Sequence, residues 1–148
     1  MSLRDRLRAD LKDAMRAQDA HRKAAIRMVL TNIQLVESES PHTLEDSEIV
    51  ELIRKEVKRR EEAIEMMRTA GREDLVAEEV VELDILQAYL PALMTEDEIR
   101  EVAQSVIEEA GASSMADMGR VMGALMPRVR GRADGRTVNE IVRALLSA

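Results

Sequence analysis

Residues 84–98 read DILQAYLPALMTEDE, and this stretch decides the fold. An apolar helical pattern runs into Tyr89-Leu90 and stops, because Pro91 disfavours a helical residue before it. Thr95 and Glu98 then form a capping box, the hydroxyl serving one orphan N–H of a new helix while the carboxylate reaches back to another. A helix ends and another begins across Pro91–Met94, which predicts two helical domains, residues 1–91 and 95–148. Tyr89 is also the one aromatic side chain among 148 residues, so the core must come from Leu, Ile, Val, Ala and ten Met. That composition favours helices over sheets. The expected fold is all-α, with about four helices in the first domain and three shorter ones in the second.

Upstream, Ser2 is an N-cap for a helix carrying Leu3, Leu7, Leu11 and Met15 at i, i+4 spacing and ending near Gln18. A break at Asp19-Ala20 leads to a second helix with Ile26, Val29, Leu30, Ile33 and Val36, ended by Ser38–Pro41. Thr43 to Asp46 resembles a capping box, and a long third helix follows to Gly71. The cluster Lys58–Glu62 on it reads as a solvated face with compensating charges. A fourth helix occupies Glu73 to Leu90. Downstream, Thr95 opens a helix closed by Gly111, Ser114–Asp117 repeats the start signal, and Pro127 is expected to terminate a short sixth helix. Asp134 caps the last one, built on Val138, Ile141, Val142, Leu145 and Leu146.

Charge is unevenly placed. The net charge is −7, yet residues 118–148 hold six Arg against Asp134 and Glu140, a balance of +4, while the first 117 residues balance at −11. There is no cysteine, which excludes disulfides and thiolate chemistry. The longest apolar runs are far below the roughly 20 residues that span a bilayer, and the N-terminal stretch lacks the apolar segment of a signal peptide. No membrane association and a cytoplasmic location are expected. The acidic run Glu78, Glu79, Glu82, Asp84 has no histidine beside it to complete a metal-ligand set. His21 and His42 show no obvious Ser or Asp partner, Ser113-Ser114 looks like capping chemistry, and no phosphate-loop or nucleophile-elbow motif occurs. Neither catalytic residues nor a cofactor or metal is expected.

The chemistry concentrates in Arg128–Arg136, RVRGRADGR. Arg128, Arg130, Arg132 and Arg136 are guanidinium forks suited to phosphate. Gly131 and Gly135 allow the backbone to approach a ligand closely. A helix start beside them adds unpaired N–H groups and the positive end of a dipole. A phosphodiester backbone is the natural ligand. Asp134 opposes it by filling the helix terminus, and the absence of aromatic side chains disfavours base stacking. The competing reading is that these arginines dock on the acidic N-terminal domain.

The segment DMGRVMGALMPRVRGRADGRTVNEIVRALL (Asp117–Leu146), with AGREDLVAEEVVELDILQAYLP (Ala70–Pro91) and TEDEI (Thr95–Ile99), resembles the YqeY family. The C-terminal part of that family is similar to the tail domain of GatB, the tRNA-binding subunit of the aspartyl/glutamyl-tRNA amidotransferase. Gly119, Gly123, Pro127, Gly131, Arg132, Ala133, Asp134, Gly135 and Asn139 fit the family pattern, and arginines stand at its frequent lysine positions, Arg120, Arg128, Arg130 and Arg136. The resemblance implies a non-catalytic module that binds tRNA with Arg120, Arg128, Arg130, Gly131, Arg132, Gly135, Arg136 and Asn139. The alternatives it leaves are an adaptor on an aminoacyl-tRNA synthetase or amidotransferase complex, and an accessory of a glutamine-dependent carbon–nitrogen ligase. The chain lacks the catalytic domain of the larger subunit, so the ligase activity should not transfer.

Overall fold

The first two helices start at small polar side chains. The Ser2 hydroxyl accepts the Asp5 N–H at 3.1 Å and opens α1 (Leu3–Arg16). Asp19 accepts the Arg22 N–H at 3.1 Å and opens α2 (Ala20–Glu39), so a tight turn with Gln18 at φ +56° joins the two. Then come α3 (Asp46–Thr69), α4 (Glu73–Gln87), α5 (Glu96–Ala110), one 3₁₀ turn (Met115–Asp117), α6 (Met118–Val129) and α7 (Gly135–Ser147). The computed structural model describes residues 1–148 and is all-helical, without a strand.

Both strong capping boxes form, Thr95 with Glu98 and Ser114 with Asp117. The one expected at Thr43 does not. Glu45 stands at the N-cap of α3 and makes no side-chain cap bond. Asp46 instead accepts the Leu3 N–H at 3.1 Å, and Glu37 accepts the Leu44 N–H at 2.7 Å. These acids spend their acceptors tying α1 and α2 to the α3 entry, while Leu44 is buried in the core. Pro127 does not end α6 either, which continues to Val129. The proline forfeits one backbone hydrogen bond, but the last turn seats Val129, fully buried, and the Arg130 N–H still reaches the Met126 carbonyl at 2.9 Å. Tertiary packing outweighs the local penalty.

Two compact units result, Met1–Leu90 and Pro91–Ala148, each with its own core. In the first, Leu7, Ile26, Ile33, Ile49, Ile53 and Leu86 are fully buried, each contributing roughly 1.5–3 kcal/mol by leaving water. In the second, Val106, Val121, Leu125, Val129, Val138 and Val142 do the same with smaller side chains.

Polar groups fix the first unit's geometry. The Arg60 guanidinium lies between α2, α3 and α4, meeting Glu56 at 3.1 Å, Glu79 at 3.2 Å, Glu82 at 3.6 Å and the Met28 sulfur at 3.4 Å. Tyr89 is buried, donates to the Asp10 carboxylate and lies under Arg6, whose guanidinium carbon stands 4.7 Å from the ring centre.

Candidate nucleic-acid interface

The arginines of the basic segment sit on three kinds of backbone. Because α6 runs through Val129, Arg128 is helical, Arg130 is the C-cap, Arg132 belongs to the turn, and Arg136 lies in the first turn of α7. All four side chains are exposed. Arg128 meets Glu109 at 2.6 Å, Arg136 meets Glu140 at 3.6 Å, and Arg120 meets Asp117 at 2.9 Å. Those partners all belong to the second unit. In every one of the three pairs the arginine is about half exposed or more, so solvent screens the pairs and each contributes about 0–1 kcal/mol. An incoming anion can displace them.

The two glycines differ. Gly131 is buried with φ +80°, a left-handed conformation that side chains with a Cβ resist. Its glycine is accounted for by the chain's own turn, which the Arg132 and Ala133 N–H groups close on the Val129 carbonyl at 3.0 Å. A glycine at position 131 thus has a conformational reason that needs no ligand. Gly135 is exposed, and a Cβ there would meet only the Met126 methyl at 3.8 Å. The Arg132 carbonyl accepts the Met94 N–H at 2.8 Å, which pins the turn to the strand of chain entering α5.

Asp134 occupies the N-cap of α7 by backbone conformation, but its carboxylate makes no cap bond. It takes the Thr137 hydroxyl at 3.4 Å instead. The first N–H groups of α7 are therefore not filled by that carboxylate, contrary to the capping expected from sequence. Asn139, half-buried, follows Arg136 by three residues on α7, and the exposed Arg143, the last of the six arginines of this stretch, follows by seven.

On α6, Gly119 and Gly123 look outward with nothing within 4 Å of an added Cβ. Asp117 closes the 3₁₀ turn. N–H groups of Ser113 and Ser114, with the Arg120 guanidinium, hold its carboxyl below the ordinary carboxylate value.

The histidines acquire partners that the sequence did not show. His21 Nδ1 lies 3.4 Å from Glu82, and His42 stands between the Ser40 hydroxyl at 3.0 Å and Glu48 at 3.3 Å. The second set has the residue types of a nucleophile, base and orienter. Ser40 is the C-cap of α2, His42 is exposed in the loop that follows, and Glu48 lies in the first turn of α3, so the histidine stands in water of the kind that acyl-transfer sites exclude.

No helix is long and apolar enough to cross a membrane. The YqeY-like protein family matches residues 4–146. A relative in Pyrenophora tritici-repentis is 36% identical over 97% of the chain and 80% of its own length. One in Eremothecium gossypii is 38% identical over 59% of the chain and 48% of its own. One in Saccharomyces cerevisiae is 32% identical over 68% and 54%. The chain thus spans about half the length of the two yeast proteins. All three relatives are called altered inheritance of mitochondria protein 41, mitochondrial, a name that states no catalytic activity. With the match covering almost all of its residues, the chain belongs to the YqeY-like protein family.

Proposed function

We propose that the protein is a non-catalytic RNA-binding module whose second unit grips phosphates at the junction of α6 and α7. One observation carries this reading: Arg128, Arg130, Arg132 and Arg136 are all exposed across a nine-residue junction, and the acids that meet Arg128 and Arg136 are themselves exposed. Exchanging an exposed carboxylate for a phosphate costs little and releases the phosphate's counterions. The unfilled start of α7 adds N–H donors of the right polarity. Folded RNA suits the surface better than single strands, since the chain's one aromatic ring is buried and cannot stack on a base. The tRNA class comes from the resemblance to the amidotransferase tail domain, and the place of action is the compartment of aminoacyl-tRNA synthesis, the cytoplasm for this chain.

The test is binding of total tRNA across a salt series by wild type and by a variant with all four arginines changed to glutamine. If each arginine neutralises one phosphate, the variant's slope of log affinity against log salt is shallower by about three. Equal slopes with folded proteins would remove the phosphate grip and leave the arginines a protein-docking role.

A further inference from the structure

The balance of −11 over the first 117 residues conceals a second basic surface. Residues 1–27, which form α1 and the start of α2, carry eight basic and four acidic side chains, a balance of +4. The acids there are occupied. Asp10 serves Arg6, Arg22 and Tyr89, Asp13 pairs with Arg16, and Asp19 caps α2, leaving only Asp5 in the first turn of α1. Arg4 is bound to Glu37. Four cations are left out of these pairings: Arg8 and Lys12 on α1, Lys23 and Arg27 on α2.

Their placement is ordered. Arg8 and Lys12 are one turn apart, as are Lys23 and Arg27, so each pair forms a row with about 6 Å of rise. Helical spacing puts Arg8, Lys12 and Met15 on one face of α1, and Lys23 and Arg27 on one face of α2. Met15, which continues the Arg8–Lys12 row, and Lys23 line the same shallow depression at the α1–α2 turn. At the other end, Arg8 and Arg4 both act on the Glu37 carboxylate of α2. Arg22, Arg6 and Asp10 gather instead around Tyr89.

Resting on the RNA-binding reading for the class of ligand, we infer that this face of the α1–α2 hairpin is a second contact for the RNA backbone, made by Arg8, Lys12, Lys23 and Arg27. Two rows on neighbouring helices, about 8–10 Å apart, match an extended polyanion, not one phosphate. An anionic membrane fits less well. An interfacial helix must offer an apolar face, and that of α1, with Leu3, Leu7 and Ala14, is spent in the core. Met15, half exposed, borders the depression that Lys23 also lines.

The experiment compares full-length wild type, the junction variant above, and a hairpin variant (R8Q, K12Q, K23Q, R27Q) for total-tRNA binding between 50 and 200 mM salt. Glutamine matches lysine and arginine in helix propensity, and Tyr89 fluorescence reports whether that unit is folded. The hairpin variant is expected to show a slope shallower by about three, so that wild type loses roughly 60-fold more affinity than the variant over that salt range. Restoring charge with R8K and R27K, beside the native lysines, should restore the slope. A hairpin variant with the wild-type slope, beside a junction variant that loses it, overturns this inference and leaves the junction reading standing. The reverse pattern keeps the hairpin and removes the junction. Wild type that binds phosphatidylserine vesicles but no tRNA overturns both.

Discussion

Changing Gly123 to alanine should stabilise the second unit. Gly123 lies in the middle of α6 with ordinary helical backbone, and nothing stands within 4 Å of the Cβ that alanine would add. The substitution therefore introduces no clash, while glycine in a helix interior costs about 1 kcal/mol relative to alanine through the entropy of the unfolded chain. For a domain of about 60 residues, 1 kcal/mol corresponds to about 4–8 °C in Tm. Two units need two signals, since one unfolding free energy is not defined for a chain that melts in parts. Far-ultraviolet circular dichroism follows every helix, whereas Tyr89, the only aromatic residue, lies in the first unit and reports that unit alone. The G123A transition seen by dichroism but not by tyrosine should move up by that amount, with the tyrosine transition fixed. An unchanged or lowered transition would refute the reasoning, because it would mean that the outward face of α6 is covered by protein.

Two further substitutions test the first unit. Arg60→Leu leaves Glu56, buried at 7% exposure, with only the exposed Arg59 beside it, and should cost about 3 kcal/mol in urea unfolding followed by tyrosine fluorescence; the double variant with Glu56→Leu should lose less, and equal losses would deny the coupling. Burial, then the hydrogen bond to Asp10, raises the Tyr89 phenol well above its ordinary value, so its contribution to stability is complete below the unfolded value of about 10 and is lost as pH rises beyond it. Alkaline absorbance titration should show the phenol ionising together with loss of helix, and a normal titration in folded protein would contradict the buried bond.

The helical order was legible where a boundary had a local cause: proline after Tyr89, hydroxyl caps at Ser2, Thr95 and Ser114, and left-handed glycines at Gly71 and Gly111. What could not be read depended on distant partners. Asp46 looked like part of a cap until the Leu3 N–H was placed against it. Pro127 looked like a terminator because the burial of Val129, two residues on, is a property of the packed unit. Gly131 and Gly135 have the same composition signal, yet one is buried in a left-handed turn and the other is exposed at a helix start. The histidine partners were hidden for the same reason, His21 meeting Glu82 from another helix.

The charge of the molecule shows the same lesson in a form that bears on function. A net −7 suggests repulsion from RNA, but the sum joins two basic segments to an acidic one: +4 over residues 1–27, −15 over residues 28–117, and +4 over residues 118–148. At physiological salt a charge is felt over about 8 Å, so an RNA phosphate responds to the region beside it and not to the total. On the proposed RNA-binding reading, poses that set phosphates against the acids of residues 28–117 are penalised, and poses that keep phosphates on the arginines and lysines of the two basic segments are favoured. Charge of this arrangement contributes more to orientation than to affinity. Binding should accordingly be weak and salt-sensitive, and stronger for a folded RNA that can present phosphates at fixed positions than for a flexible strand of equal length, whose ordering cost the protein has no aromatic surface to offset.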